Sequence, residues 1–160
     1  LSRLQADGDK IPLPDTSQDA ILMECALSLT HHAGACLEEF HRVLRLDGRL
    51  ILTDIYIREL VEPSDMDCLS VSHCLSGAMT KELILNSLSQ KGFQVTTWQD
   101  KTDELKQWLA RMVFKLGSLD AFYRQLVTDQ SDAKYLCATL GKKLKLGYYL
   151  LTAKKQVVPV

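Results

Sequence analysis

The sequence predicts an α/β fold in which a sheet lies between helices in a three-layer sandwich. Two observations predict it. Continuous or alternating apolar runs trade places with helix-period segments along the chain, and glycines fall at several of the junctions between them. With 160 residues, 46% hydrophobic and 24% charged, the chain is long enough for one buried core, so a single domain is expected over residues 1–160.

The elements follow in order. Residues 19–29 (DAILMECALSL) are almost continuously apolar, as in a parallel strand buried on both faces. Residues 35–46 place Leu37, Phe40, Val43 and Leu44 on one helical stripe. Asp47-Gly48 is expected to stop that helix, since glycine takes the left-handed C-terminal conformation without steric cost. Residues 49–57 (RLILTDIYI) read as a second buried strand, and residues 59–76 as irregular.

Thr80 is expected to N-cap a helix carrying Leu83, Ile84, Leu85 and Leu88, closed by Gly92. Residues 93–98 (FQVTTW) alternate as a strand. A long helix from residue 103 sets Leu105, Trp108, Leu109, Met112, Val113 and Leu116 on one stripe, read as core, and Gly117-Ser118 punctuates it. Helical patterns over 119–127 and 133–140, the second closed by Gly141, precede an apolar and aromatic strand over 146–153 (LGYYLLTA).

A net charge of −1 provides no global field toward nucleic acid or anionic lipid, so neither is an expected partner. The local run Lys142-Lys143-Leu144-Lys145 reads as a solvated helix end. No apolar run approaches the roughly 18 to 20 residues that span a bilayer, and no secretory signal is visible. Five cysteines, an odd number without paired spacing, argue against a secreted disulfide framework and for a reducing cytoplasm.

The segment Ala6-Asp7-Gly8-Asp9-Lys10-Ile11-Pro12-Leu13-Pro14-Asp15-Thr16-Ser17-Gln18-Asp19 resembles, without gaps, a motif of class I S-adenosylmethionine (SAM)-dependent methyltransferases. In the ubiquinone/menaquinone-biosynthesis-like branch it reads Gly-Asp-Ala-x-x-Leu-Pro-Phe-x-Asp-x-x-Phe-Asp. A second motif follows at the right separation. Glu39-Phe40-His41-Arg42-Val43-Leu44-Arg45-Leu46-Asp47-Gly48, then Leu50-Ile51-Leu52-Thr53-Asp54, is similar to the family's Glu-x-x-Arg-Val-Leu-x-Pro-Gly-Gly and the strand with a terminal Asp. The resemblance covers residues 6–54, with Gln18 in place of Phe and Leu46-Asp47 in place of Pro-Gly. Beyond residue 54 only the order of elements agrees.

The resemblance implies a Rossmann-like fold whose strands here are equivalent to 4-5-7-6, the last one antiparallel between its neighbours. It also implies that this chain, which begins at Leu1, is the C-terminal half of a partial domain lacking the first strands and their Gly-rich turn. SAM is the implied cofactor, with Asp7 accepting a hydrogen bond from the adenine amino group and Gly8 giving its backbone N–H beside the ring. For these two the plain alternative is an Asp-Gly turn. Glu24, Cys25 and Ala26 would pass beside the methionine half of SAM, at the strand ends where open α/β sheets bind ligands. Glu24 has the alternative of an acid reaching water at a strand mouth.

Methyl transfer from a sulfonium needs chiefly orientation and exclusion of water, and a general base only if the acceptor must lose a proton early. His31 and His32 are the candidate bases, against a solvent-facing or helix-capping role. Tyr56, with Asp54, is the candidate on the acceptor side. No metal ligand set is expected. Cys68, His73 and Cys74 form a soft-ligand constellation for a metal or metalloid, but lack the spacing of a structural zinc site, and the preferred reading is buried or incidental cysteines.

Residues 103–141 have the position of an acceptor-side helical insert, in which Trp108 and Met112 would roof a small-molecule pocket if they are not simply core. The expected activity is SAM-dependent methyl transfer to a small-molecule acceptor. The alternative is a non-catalytic fragment or split subunit that associates through the exposed sheet edge, as a homodimer or with a complementing N-terminal segment. A nicotinamide-dinucleotide domain lacks the Gly-x-Gly-x-x-Gly fingerprint.

Overall fold

The computed structural model describes residues 3–59, 77–126 and 145–156. Within them the apolar runs form four strands: β1 (Gln18–Glu24), β2 (Leu44–Ile57), β3 (Phe93–Asp100) and β4 (Leu146–Lys155). Their order across the sheet is β1-β2-β4-β3. β1 and β2 are parallel, and β4 runs antiparallel to both of its neighbours, as expected. The register sets Leu52 opposite Leu151 and Val95 opposite Ala153.

Period-2 alternation gives the sheet one buried face. On β2, Leu50, Leu52, Asp54 and Tyr56 point inward, and on β4, Tyr149, Leu151 and Ala153 do the same. Two helices cover that face. α1 (Ala33–Val43) brings Cys36, Leu37 and Phe40 to it, and α2 (Lys81–Gln90) brings Ile84 and Leu88. Each such leucine or phenylalanine contributes about 1.5–3 kcal/mol by leaving water. On the opposite face Ile51, Thr53, Ile55, Leu150 and Thr152 are half-buried.

Local chemistry starts and stops these helices. The Thr80 hydroxyl accepts from the Leu83 N–H at 3.3 Å, capping α2, and Gly92 takes φ 77° just after it. α3 (Thr102–Leu116) ends on Gly117 at φ 88° and is followed by α4 (Leu119–Leu126). At the start of α3 the Asp100 carboxylate accepts from the Thr102 N–H at 2.8 Å and from the Thr102 hydroxyl.

Four expectations need correction. The 19–29 run is not one strand: it ends at Glu24, Cys25 turns out with φ 47°, and Leu27–Leu29 form a 3-10 turn. Nor is it buried on both faces, because among the described residues β1 pairs only with β2, leaving Leu22 60% exposed.

The first helix ends at Val43 rather than at Asp47-Gly48, because Leu44 is already extended and begins β2. Asp47, not Gly48, holds the left-handed φ of 60°. Gly48 is required for space: a Cβ there would lie 2.7 Å from the Arg45 carbonyl oxygen. Lastly, the α3 stripe is a partly covered surface, with Trp108 45% exposed and resting edge-on against Phe122 at 5.4 Å. The expected helix over 133–140 lies outside the described residues, as do Cys68, His73 and Cys74.

Candidate functional site

The first motif is fixed to the second by one side-chain fork. Glu39 and Arg42 share a face of α1 one turn apart, and their head groups meet through Arg42 Nε to Glu39 Oε1 and Nη2 to Oε2, both at 2.8 Å. The same two groups hold the loop ahead of β1. Glu39 Oε2 accepts from the Ile11 N–H at 2.9 Å, while Arg42 donates to the Ile11 carbonyl at 2.8 Å and to the Leu13 carbonyl at 2.9 Å. Arg42 also pairs with Asp15. These bonds, led by the guanidinium, pull the Glu39 carboxyl down to about 2 and hold the Arg42 guanidinium above its ordinary value.

Anchored this way, the loop presents Asp7, Gly8 and Asp9 to one wall of a cavity of about 270 Å³. Leu29, Thr30, His31 and His32 form the other wall, and Cys36 closes the floor. Cys36 is 2% exposed, and burial pushes its thiol up. The floor and the loop are matched in size: a Cβ on Gly8 would sit 3.1 Å from the Cys36 sulfur. Asp7 is exposed, with its carbonyl oxygen accepting from the Lys10 N–H at 3.0 Å. Among the described residues its carboxylate has no hydrogen-bond or ion-pair partner.

Of the residues singled out in the sequence, the fold brings Asp7, Gly8, His31 and His32 to this cavity. Both histidines are exposed, and His32 takes the N-cap position of α1, where its carbonyl accepts from the Cys36 N–H at 3.1 Å. Glu24 points to solvent at the mouth of β1, and Ala26 is half-buried beyond it. Cys25 is exposed, its sulfur 3.2 Å from the Tyr148 hydroxyl. Burial first, and that thiol second, raise the Tyr148 phenol above its ordinary value. None of Glu24, Cys25 and Ala26 lines the cavity.

Tyr56 is elsewhere. It is 6% exposed, stands edge-on to Trp98 and Tyr149, and its hydroxyl donates to Asp100 at 3.0 Å. Burial, then the Asp100 carboxylate, push its phenol up. Asp54 is buried and bonded to Ser28.

Sequence reasoning missed Asp9, Leu29, Thr30 and Cys36 as cavity residues. Two signals were available. Thr30 directly precedes the two histidines, and Cys36 lies one residue before Leu37 on the inward stripe of α1. Among the described residues no group of three or more His, Cys, Asp or Glu side chains could hold a metal ion, and no helix is long and apolar enough to cross a membrane.

Comparison with known proteins concerns part of the sequence and the fold. Residues 1–52 match the family described as "Methyltransferase domain". The arsenite methyltransferase of Halobacterium salinarum is 25% identical over 103 residues, which cover 61% of this chain and 26% of that protein. Among solved structures, the [4+2]-cyclase SpnF superposes with a TM-score of 0.68 at 22% identity, over 96% of this chain and 56% of that one. Phosphoethanolamine N-methyltransferase 2 of Haemonchus contortus, solved with S-adenosyl-L-methionine, superposes at 0.66 with 13% identity, over 94% of this chain and 36% of that one. The chain thus spans about a quarter of the curated relative and little more than half of the first of these structures. The structural likenesses establish the fold, one that a protein named as a cyclase also has, while the family match is confined to the first third of the chain. Residues 1–52 of the chain are thus similar in sequence to the methyltransferase domain family, and the described fold is that of the superposed structures.

Proposed function

We propose that this chain forms the adenine-binding wall and the acceptor-side half of a cytoplasmic methyltransferase that methylates a small molecule. One observation carries the reading: the Asp7-Gly8 loop and residues 29–32 line a single cavity, with Gly8 set so close to Cys36 that a Cβ would lie 3.1 Å from its sulfur. At about 270 Å³ the cavity is near the lower end of the range for small-molecule sites, a size suited to one end of a nucleoside rather than to all of SAM. The Asp7 carboxylate has no partner among the described residues, as an acceptor waiting for the adenine amino group would be.

When bound, SAM supplies a methyl group on a sulfonium, already activated toward displacement. This chain's share of the work is then binding and orientation. Asp7 and the Gly8 N–H hold the base, and residues 29–32 shield its far side. His31 and His32 belong to that same wall, so a base role for either requires the acceptor to reach this cavity. Glu24, Cys25 and Ala26, at the C-terminal end of β1, are assigned to the methionine half of SAM. A small acceptor is in keeping with the name of the sequence relative, an arsenite methyltransferase. The acceptor of this chain is proposed only as a small molecule.

A second reading is favoured by the sheet edge. Among the described residues β1 offers an unpaired edge with Leu22 60% exposed, and the face carrying Ile51 and Leu150 is half-covered. Such an edge suits pairing with a complementing N-terminal segment or a second copy of the chain. In that case the chain serves as a fragment or split subunit that does not bind SAM by itself.

Titration of the isotope-labelled chain with S-adenosylhomocysteine, followed by NMR, separates the two. Binding at the cavity moves the Gly8 amide and the His31 and His32 ring signals in step with saturation. Unmoved signals at millimolar ligand would leave only the second reading.

A further inference from the structure

Asp54 is an acid on the buried face of β2, between Leu52 and Tyr56, and is 2% exposed. Its carboxylate receives three hydrogen bonds: the Ser28 N–H to Oδ2 at 2.9 Å, the Ser28 hydroxyl to Oδ1 at 2.7 Å, and the Ile55 N–H to Oδ1 at 2.8 Å. Two of the three come from the middle residue of the 3-10 turn Leu27–Leu29. A carboxylate in a core is costly unless its oxygens are satisfied, and an apolar side chain of similar size would serve the packing at less cost. What the acid adds is a fixed position for Ser28.

The same turn is held from two other directions. The backbone at Gly77 lies against Ser28 so closely that a Cβ would fall 2.2 Å from the Ser28 carbonyl oxygen. Upstream, Cys25 keeps a left-handed φ of 47° while its N–H donates to the Thr53 carbonyl at 2.7 Å. A non-glycine residue in that region is held there by its surroundings. Directly after Ser28 the chain supplies Leu29, Thr30, His31 and His32, four of the eight residues that line the cavity.

We propose that Asp54 is a positioning residue: through its two hydrogen bonds to Ser28 it sets the place of the cavity wall formed by residues 29–32, and thereby the affinity of the site. The affinity part rests on the adenosine-binding reading above. Asp54 touches no ligand in this account and acts only through Ser28.

Two variants of the full chain test it, Ser28→Ala, which deletes the hydroxyl bond, and Asp54→Asn, which sets an amide N–H₂ against a donor. If Asp54→Asn does not fold, Ser28→Ala carries the test, with Tyr56→Phe as a core control remote from the cavity. Hydrogen exchange is expected to accelerate over residues 26–36 and not in α2 or β4. S-adenosylhomocysteine affinity is expected to fall about tenfold in calorimetry, the cost of one broken buried hydrogen bond. The control should leave the affinity unchanged and should not accelerate exchange over residues 26–36 selectively. Exchange that is unchanged, or raised uniformly, overturns the proposal, and so does selective loosening with unaltered affinity. Selective loosening in a chain whose wild type does not bind the probe upholds the positioning role and overturns the adenosine reading instead.

Discussion

Glu39 and Arg42 hold the two ends of a single residue: the Ile11 N–H donates to Glu39 Oε2 at 2.9 Å, and the Ile11 carbonyl accepts from Arg42 Nη2 at 2.8 Å. A planar guanidinium can do this while also facing the carboxylate, which an ammonium cannot. The two sequence motifs are therefore one structural unit. The second motif, on α1, carries the fork that shapes the loop of the first.

Replacing Glu39 changes how stability depends on pH. The folded carboxyl titrates near 2 against 4.5 ordinarily, so its contribution is fully present above pH 4.5 and is lost as pH falls toward 2. Glu39→Gln is expected to melt a few degrees below wild type at neutral pH, with the gap closing between those two values. Thermal melts across that range check it. A gap independent of pH would show that the carboxylate contributes nothing through its charge.

Tyr56→Phe removes one hydrogen bond from a buried hydroxyl and leaves the ring contacts with Trp98 and Tyr149 in place. The expected cost is about 1 kcal/mol of unfolding free energy, with S-adenosylhomocysteine binding unchanged. Denaturant unfolding together with calorimetry reads both quantities. A loss of binding without loss of stability would return Tyr56 to the site.

Gly147 lies on β4 where a Cβ would meet Tyr56 Cε1 at 2.3 Å and the Thr102 hydroxyl at 2.7 Å. Both neighbours are buried, so neither can swing aside. Gly147→Ala is expected to destabilise the chain by about 1–3 kcal/mol, as overpacking does, measured as a lower denaturant midpoint. An unshifted midpoint would mean that the strand relaxes freely at this point.

Much of the fold was legible in the sequence because β2 and β4 are apolar runs and α1 carries a regular apolar stripe. The strand order came from the family resemblance, since periodicity places no strand beside another. The end of β1 was not legible: an unbroken apolar run has no mark where Cys25 turns left-handed and a 3-10 turn begins. The helix stop was misplaced for a similar reason. Asp47-Gly48 carries the turn chemistry, yet the chain uses it inside an extended segment whose backbone passes too close to Arg45 for a side chain.

At the site, the Asp7-Gly8 loop and the two histidines were found from motif and position, whereas Cys36 and Thr30 were not, because only folding sets α1 beneath the loop. Tyr56 was assigned to the acceptor side from its place near a strand end. On β2, however, every second residue from Leu50 to Tyr56 faces the core, and this turns Tyr56 inward.

The central claim is that the cavity between Asp7-Gly8 and residues 29–32 receives the adenine end of SAM. Calorimetric titration of S-adenosylhomocysteine into the wild-type chain and into Asp7→Ala tests it most directly. The account predicts saturable binding by the wild type and a loss of about tenfold or more in the variant, whose removed carboxylate is the acceptor for the adenine amino group. Equal affinity in the two proteins, or no binding by either, would contradict it.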